Sequence, residues 1–141
     1  MKDTLAPGLK VTRRFTVDEP RTIDFLAADG GDSARVYATP ALIQDIEQTC
    51  RDFLLDHLDD GEDTLGTEVS IKHLAPTLLG MWAEVTAEVT RLDERALSFA
   101  VTVRDPVDEL VASGSHDRFV IDVAKTLQRL RHKEEAFAQA S

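Results

Sequence analysis

The chain has 141 residues, 43% of them hydrophobic and 30% charged, which is enough for one globular domain with a core and too few for two. Its 26 acidic residues outnumber 16 basic ones, and the formal charge of −10 argues against nucleic acid as a main partner, because that binding rests on neutralising phosphates. The opening "MKDTLAPG" lacks the apolar run of a secretory signal, and the longest uncharged run, "LAPTLLGMWA", is about half a membrane span, so a soluble, cytoplasmic protein with no membrane partner is expected.

Taken in chain order, "LKVTRRFTV" is loosely alternating and β-branched, which predicts a first strand over 9–17. A short helix is expected near 21–28, followed by loop chemistry at Gly30, Gly31 and Ser33. "ATPALIQDIEQTCRDFLLDHL", residues 38 to 58, reads as one amphipathic helix, with Thr39 at the N-cap and Pro40 at the first helical position, where its missing N–H costs nothing. At about 100° per residue, Ile43, Ile46, Cys50, Phe53, Leu54 and Leu58 share a face, with Gln44, Asp45, Gln48, Arg51 and Asp52 opposite. Cys50 on that face is expected to be a buried thiol rather than a nucleophile. The acidic turn "DDGED" ends the helix and lacks the alternating ligands of a calcium loop.

Beyond it the period changes from 3.6 to 2. "TEVSIKHL" places Thr67, Val69, Ile71 and His73 on one face of a half-buried strand, "MWAEVTAEVTRL" and "ALSFAVTVRD" form a hairpin joined at "DERA", and "DPVDE" turns into a last long strand, "LVASGSHDRFVIDV". Gly114 marks a bulge or a close approach of another chain segment in that strand. "VAKTLQRLRHKEEAFAQA" closes as a helix with Val123, Leu127 and Leu130 on one side and a solvated basic face. One helix cannot cover both faces of such a sheet. An α+β arrangement, with a curved antiparallel sheet wrapped around a single long helix and a C-terminal helix appended, satisfies the pattern as one domain over 1–141, and this is the hotdog architecture. Its open sheet edge and apolar face predict a homodimer.

Two polar residues, Glu47 and His73, stand where apolar ones are expected, and a third, Thr39, stands at the helix cap where its hydroxyl has a structural job. Glu47 falls between Ile43 and Leu54 on the helical wheel, and a carboxylate buried without a partner is costly by several kcal/mol, so it either reaches water at the margin or meets a donor. His73 continues the inward face of its strand, and Thr39 stands at the helix start. A hydroxyl, a carboxylate and an imidazole converging there make up the inventory for acyl transfer, with general acid/base capacity near neutral pH and backbone N–H groups for a developing oxyanion. His57 reads as packing or dimer contact, His116 and His132 carry no supporting pattern, and no spacing points to a metal site.

The stretches "VYATPALIQDIEQTC", "DTLGTEVSIKHLAPTLLG" and "ASGSHDRFVI" resemble corresponding segments of the fluoroacetyl-CoA thioesterase-like family of hotdog proteins, in order and spacing, from about residue 8 to residue 130. The resemblance implies a catalytic set of Thr39, Glu47 and His73, with Gly66 and Arg118 lining the substrate site. Glu47 would then be nucleophile or the base that activates water, His73 its acid/base partner, and Thr39 the group that positions carbonyl or water. Phenylalanines that guard the acyl pocket in that family have no counterpart in "AADGGDSARVYATP", where Tyr37 is the only aromatic residue after Phe25 and the candidate substrate contact. Hydrolysis of a short or small polar acyl-CoA to free acid and coenzyme A is expected, with no cofactor beyond the coenzyme A of the substrate. The alternative is a non-catalytic module that binds acyl-CoA or an acyl-carrier protein. A hydratase is disfavoured, since its Asp and His would have to share a short segment, and "DFLLDHL" lies at the wrong end of the helix.

Overall fold

The computed structural model describes residues 1–140, apart from the side chains of 32 and 33, so the Ser33 side chain lies outside the described residues. Among the described residues seven strands form, β1 (Lys10–Thr16), β2 (Thr22–Ile23), β3 (Val36–Tyr37), β4 (Glu62–His73), β5 (Trp82–Asp93), β6 (Ala96–Arg104) and β7 (Leu110–Asp122), with helices α1 (Ala27–Gly30), α2 (Thr39–Leu55) and α3 (Val123–Ala140). Five strands make an antiparallel sheet in the order β1-β5-β6-β7-β4, and β2 pairs with β3 beside it.

Strict alternation builds the inner face. Ala83, Val85, Ala87 and Val89 on β5 and Leu97, Phe99, Val101 and Val103 on β6 are buried at every second position. Against them α2 packs Leu42, Ile46, Cys50 and Leu54, all fully buried, and each large aliphatic side chain so buried stabilises the fold by about 1.5–3 kcal/mol. Burial also pushes the Cys50 thiol up to about 12, so it is a core group, as expected.

The structure departs from the sequence expectations at four places. The segment near 21–28 is not one helix, because Pro20 opens a 3-10 turn over Glu19–Arg21 and Thr22 and Ile23 then pair with Tyr37 and Val36. Thr39 is not the cap. Ala38 holds that position in extended conformation without a side-chain cap, and Thr39 is the first helical residue. The buried face of α2 is turned relative to the wheel, so that Asp45 and Thr49 are buried while Glu47 lies on the exposed side. Finally, β4 is irregular between Gly66 and Glu68 where it pairs with β7, and this bulge absorbs Thr67. Beyond it Val69, Ile71 and His73 share a face with Gly66 rather than with Thr67, a phase change that an unbroken period of two forbids.

The hairpin turns where "DERA" predicts it, with Glu94 at φ 55°, and Asp105 closes the next turn by accepting the Val107 and Glu109 N–H groups. Asp122 accepts the Lys125 N–H at the start of α3. No residue of α3 is buried, so the Val123, Leu127, Leu130 side contributes nothing to this core. No helix among the described residues is long and apolar enough to cross a membrane.

Gly114 marks a close approach within the sheet. A Cβ there would lie 1.9 Å from the Ser70 carbonyl oxygen on β4, and that neighbour is backbone that cannot rotate away. We expect Gly114→Ala to cost about 1–3 kcal/mol, the range for overpacking a tight contact, with the loss concentrated in β4 amide protection when read by hydrogen exchange. Unchanged protection across β4 would contradict this packing.

Candidate active site

Two clusters of polar side chains lie on the inner face between α2 and β4. The first is at the start of α2. Thr39 Oγ1 and His73 Nδ1 share a hydrogen bond of 2.8 Å, which the uncapped helix start makes possible by leaving the Thr39 hydroxyl unused. His73 Nε2 is buried and has no partner among the described residues. Burial holds the His73 imidazole below its ordinary value of 6.5, so it stays neutral near pH 7. Tyr37 meets the imidazole edge-on, with ring centroids 6.4 Å apart and an interplanar angle of 84°. Together with Ile23, Val36, Leu74, Ala75 and Pro76 these side chains line a cavity of about 240 Å³.

The second cluster surrounds Glu47. Its Oε1 lies 3.8 Å from Arg118 Nη1, and the side chain is 48% exposed while that of Arg118 is 6% exposed. The Arg118 guanidinium donates through Nε to Thr64 Oγ1 and through Nη2 to the Thr64 carbonyl, each at 2.8 Å, and through Nη1 to His116 Nε2 at 3.1 Å. His116 Nδ1 donates to the Glu68 carbonyl at 2.8 Å, so its proton is on Nδ1 and Nε2 is bare to accept from Arg118. Burial keeps His116 below its ordinary value, and the Arg118 charge adds to that effect. A guanidinium held on three sides in this way presents its positive charge to the Glu47 carboxylate in fixed geometry. Gly66 completes the cluster, since a Cβ there would stand 2.4 Å from Glu47 Oε1 and 3.1 Å from His116 Cε1. Gln44, Gln48, Arg51 and Leu65 close a cleft of about 280 Å³ around these groups.

The expected convergence of Thr39, Glu47 and His73 at one helix start therefore does not occur within a single chain. Thr39 and His73 meet, but Glu47 stands eight residues further along α2, about 12 Å at 1.5 Å per residue, and belongs with Gly66 and Arg118. Its neighbour Gly66 is seven residues from His73 along β4, roughly 20 Å of strand. Arg118 is buried rather than a surface residue. Tyr37 is buried too, with its hydroxyl turned away to Asp45. His116 was passed over in the sequence, although the i, i+2 spacing of His116 and Arg118 on a strand puts both on the same face and was the signal available. Among the described residues no group of three His, Cys, Asp or Glu side chains is placed to hold a metal ion.

The polar groups are thus a half-exposed carboxylate on α2, a neutral imidazole with a hydroxyl beside it, and an anchored guanidinium. The fluoroacetyl-CoA-specific thioesterase family matches over residues 17–124. The fluoroacetyl-CoA thioesterase of Streptantibioticus cattleyicolor is 34% identical over 139 residues, covering 96% of this chain and 99% of the relative. A solved structure of a fluoroacetyl-CoA thioesterase superposes with a TM-score of 0.81 at 31% identity, covering 93% of this chain and 98% of the other. A thioesterase superfamily member from Thermus thermophilus gives a TM-score of 0.86 at 23% identity over 97% of this chain and 98% of its own, a likeness of fold alone. With both the matched span and the identity extending over most of its length, this hotdog chain belongs to the fluoroacetyl-CoA-specific thioesterase family.

Proposed function

We propose that the protein hydrolyses the thioester of a short or small polar acyl-CoA, with water as the only co-substrate, at sites completed between two copies of the chain. The observation that carries this reading is the placement of two complementary half-sites on one face of β4, Thr39 with His73 at one end and Glu47 with Gly66 and Arg118 at the other. β4 is one of the sheet's two edge strands, and Leu65 and Val69 on it are 51% and 41% exposed. Exposed apolar side chains on a long free edge favour pairing with a second strand. Antiparallel pairing of two β4 edges about a two-fold axis near Ser70 brings the Gly66 end of one chain beside the His73 end of the other. Each of the two resulting sites then contains a carboxylate, an imidazole and a hydroxyl.

In such a site Glu47 takes a proton from water as the hydroxide oxygen attacks the thioester carbonyl. Thr39, backed by His73, orients the carbonyl, and the tetrahedral intermediate collapses by breaking the C–S bond. The coenzyme A thiolate leaves and takes the proton that Glu47 removed from water, while neutral His73 stays hydrogen-bonded to Thr39. Arg118 keeps the Glu47 carboxylate aimed, and Gly66 leaves room for it. The cavity of about 240 Å³ at Thr39 and His73 suits a small acyl group. Phe25 is 78% exposed and is not among the side chains that line it, so it gives no aromatic cover, which favours a wider choice of small acyl groups than fluoroacetyl alone. A coenzyme A ester substrate is consistent with a cytoplasmic enzyme.

Glu47→Gln and His73→Ala homodimers should both lose thiol release from acetyl-CoA and fluoroacetyl-CoA while remaining folded dimers. Chains of the two variants mixed by refolding should recover about a quarter of wild-type turnover, since half the dimers are mixed and each carries one intact site; no recovery would place the whole site in one chain. Tight acyl-CoA binding without thiol release from the wild-type protein would favour the binding module instead. Gly66→Ala should displace the Glu47 carboxylate and lower kcat by about a hundredfold, the order of cost for a catalytic group moved by 1 Å, with little change in melting temperature. Because His73 must be neutral and burial holds it low, kcat/KM should fall on acidification with its midpoint below the ordinary 6.5; a midpoint above that value would mean the imidazole is not buried in the working enzyme.

A further inference from the structure

The carboxylate that α2 buries is Asp45, which the hydrolysis does not use. Its Oδ2 accepts from Arg21 Nε at 2.9 Å and from the Tyr37 hydroxyl, and its Oδ1 accepts from Arg21 Nη2 at 3.2 Å. Asp45 and Tyr37 are 6% and 1% exposed. Arg21 also donates through Nη1 to Asp18 at 3.0 Å, and its carbonyl accepts the Ala38 N–H at 2.8 Å. The Tyr37 N–H donates to the Thr77 carbonyl at 2.8 Å. Residues 37 and 38 are therefore fastened through the backbone to two segments, while the Tyr37 side chain reaches to the second turn of α2 and its ring edge meets His73.

This arrangement spans the helix start at which Thr39 stands and touches the imidazole that Thr39 bonds. A buried ion pair contributes little net stability compared with apolar packing of the same volume. Its distinctive effect is directional, because a bidentate guanidinium and a phenol on one carboxylate permit only one arrangement of the three side chains. We propose that the half-buried Arg21 with the buried Asp45 and Tyr37 forms a brace that holds Thr39 and His73 in reactive alignment, which makes Tyr37 and Asp45 positioning residues for hydrolysis rather than selectors of the acyl group. The inference rests on the reading of Thr39 and His73 as members of the active site.

The test separates alignment from stability. Tyr37→Phe keeps the ring and deletes one hydrogen bond, and it should lower kcat by about tenfold or more, with KM within about twofold and the same relative rates across acetyl-, fluoroacetyl- and propionyl-CoA. The triple variant Arg21→Met, Tyr37→Phe, Asp45→Leu replaces the brace by apolar side chains, which should restore the melting temperature and leave kcat low. Recovery of kcat together with stability, or an unaltered kcat in Tyr37→Phe, would overturn the brace. His73→Ala run in parallel distinguishes the two levels. If it is inactive while Tyr37→Phe keeps full kcat, the brace alone fails, and if His73→Ala retains turnover, the site assignment fails and the brace with it.

Discussion

The five-stranded sheet has one long helix to cover its inner face, and that constraint organises the molecule. All of the large apolar residues that alternate inward on β5 and β6 must be sealed by a single stripe of α2, from Leu42 to Leu54. A helix with so much to cover has little freedom to rotate, so the polar residues flanking its stripe are carried to fixed places. On one flank Asp45 is pressed into the structure beside Arg21 and Tyr37. On the other Glu47 is left over β4, where Gly66 admits its carboxylate to the Arg118 guanidinium.

The bulge in β4 is the second determinant. Without the extra residue at Thr67, Gly66 and His73 would project to opposite faces, and no arrangement of α2 would let both groups line the helix-facing side. The cost of the irregularity is a weaker ladder at an edge strand, where there is least pairing to lose. The neighbouring β7 answers it by placing His116 and Arg118 on the same inner face, and the Gly114 contact keeps the two strands close beyond the bulge. Buried positive charge on a protein with net charge −10 is tolerable here because Arg118 is hydrogen-bonded on three sides and faces a carboxylate.

Family membership and geometry address different questions. The matches over most of the chain establish the hotdog fold and the thioesterase family. They do not by themselves assign Thr39, Glu47 and His73 to a common site, and one chain keeps the carboxylate two helical turns from the hydroxyl. The two polar clusters share one strand, and that strand lies at an edge of the sheet, which is the geometry that the proposed pairing with a second copy uses.

Much of this was legible from the residues alone. Period-two alternation in "MWAEVTAEVTRL" and "ALSFAVTVRD", the 3.6-residue stripe after Pro40, and the turn residues at "DERA" and "DPVDE" determine the strands, the long helix and their order, because these patterns act locally. The three family motifs pointed to the residues that line the inner face. What tertiary structure alone decided was orientation. The helical wheel set Glu47 on the apolar arc and Asp45 opposite, and the structure reversed them, because an ideal wheel knows the sequence of a helix but not the partners that rotate it. Arg21 and Tyr37 compensate the charge of Asp45, and they come from segments whose arrival beside α2 no local period encodes. The slip of one residue at Thr67 is of the same kind, since pairing with β7, at a separation of about fifty residues, is what determines which side chains of β4 share a face.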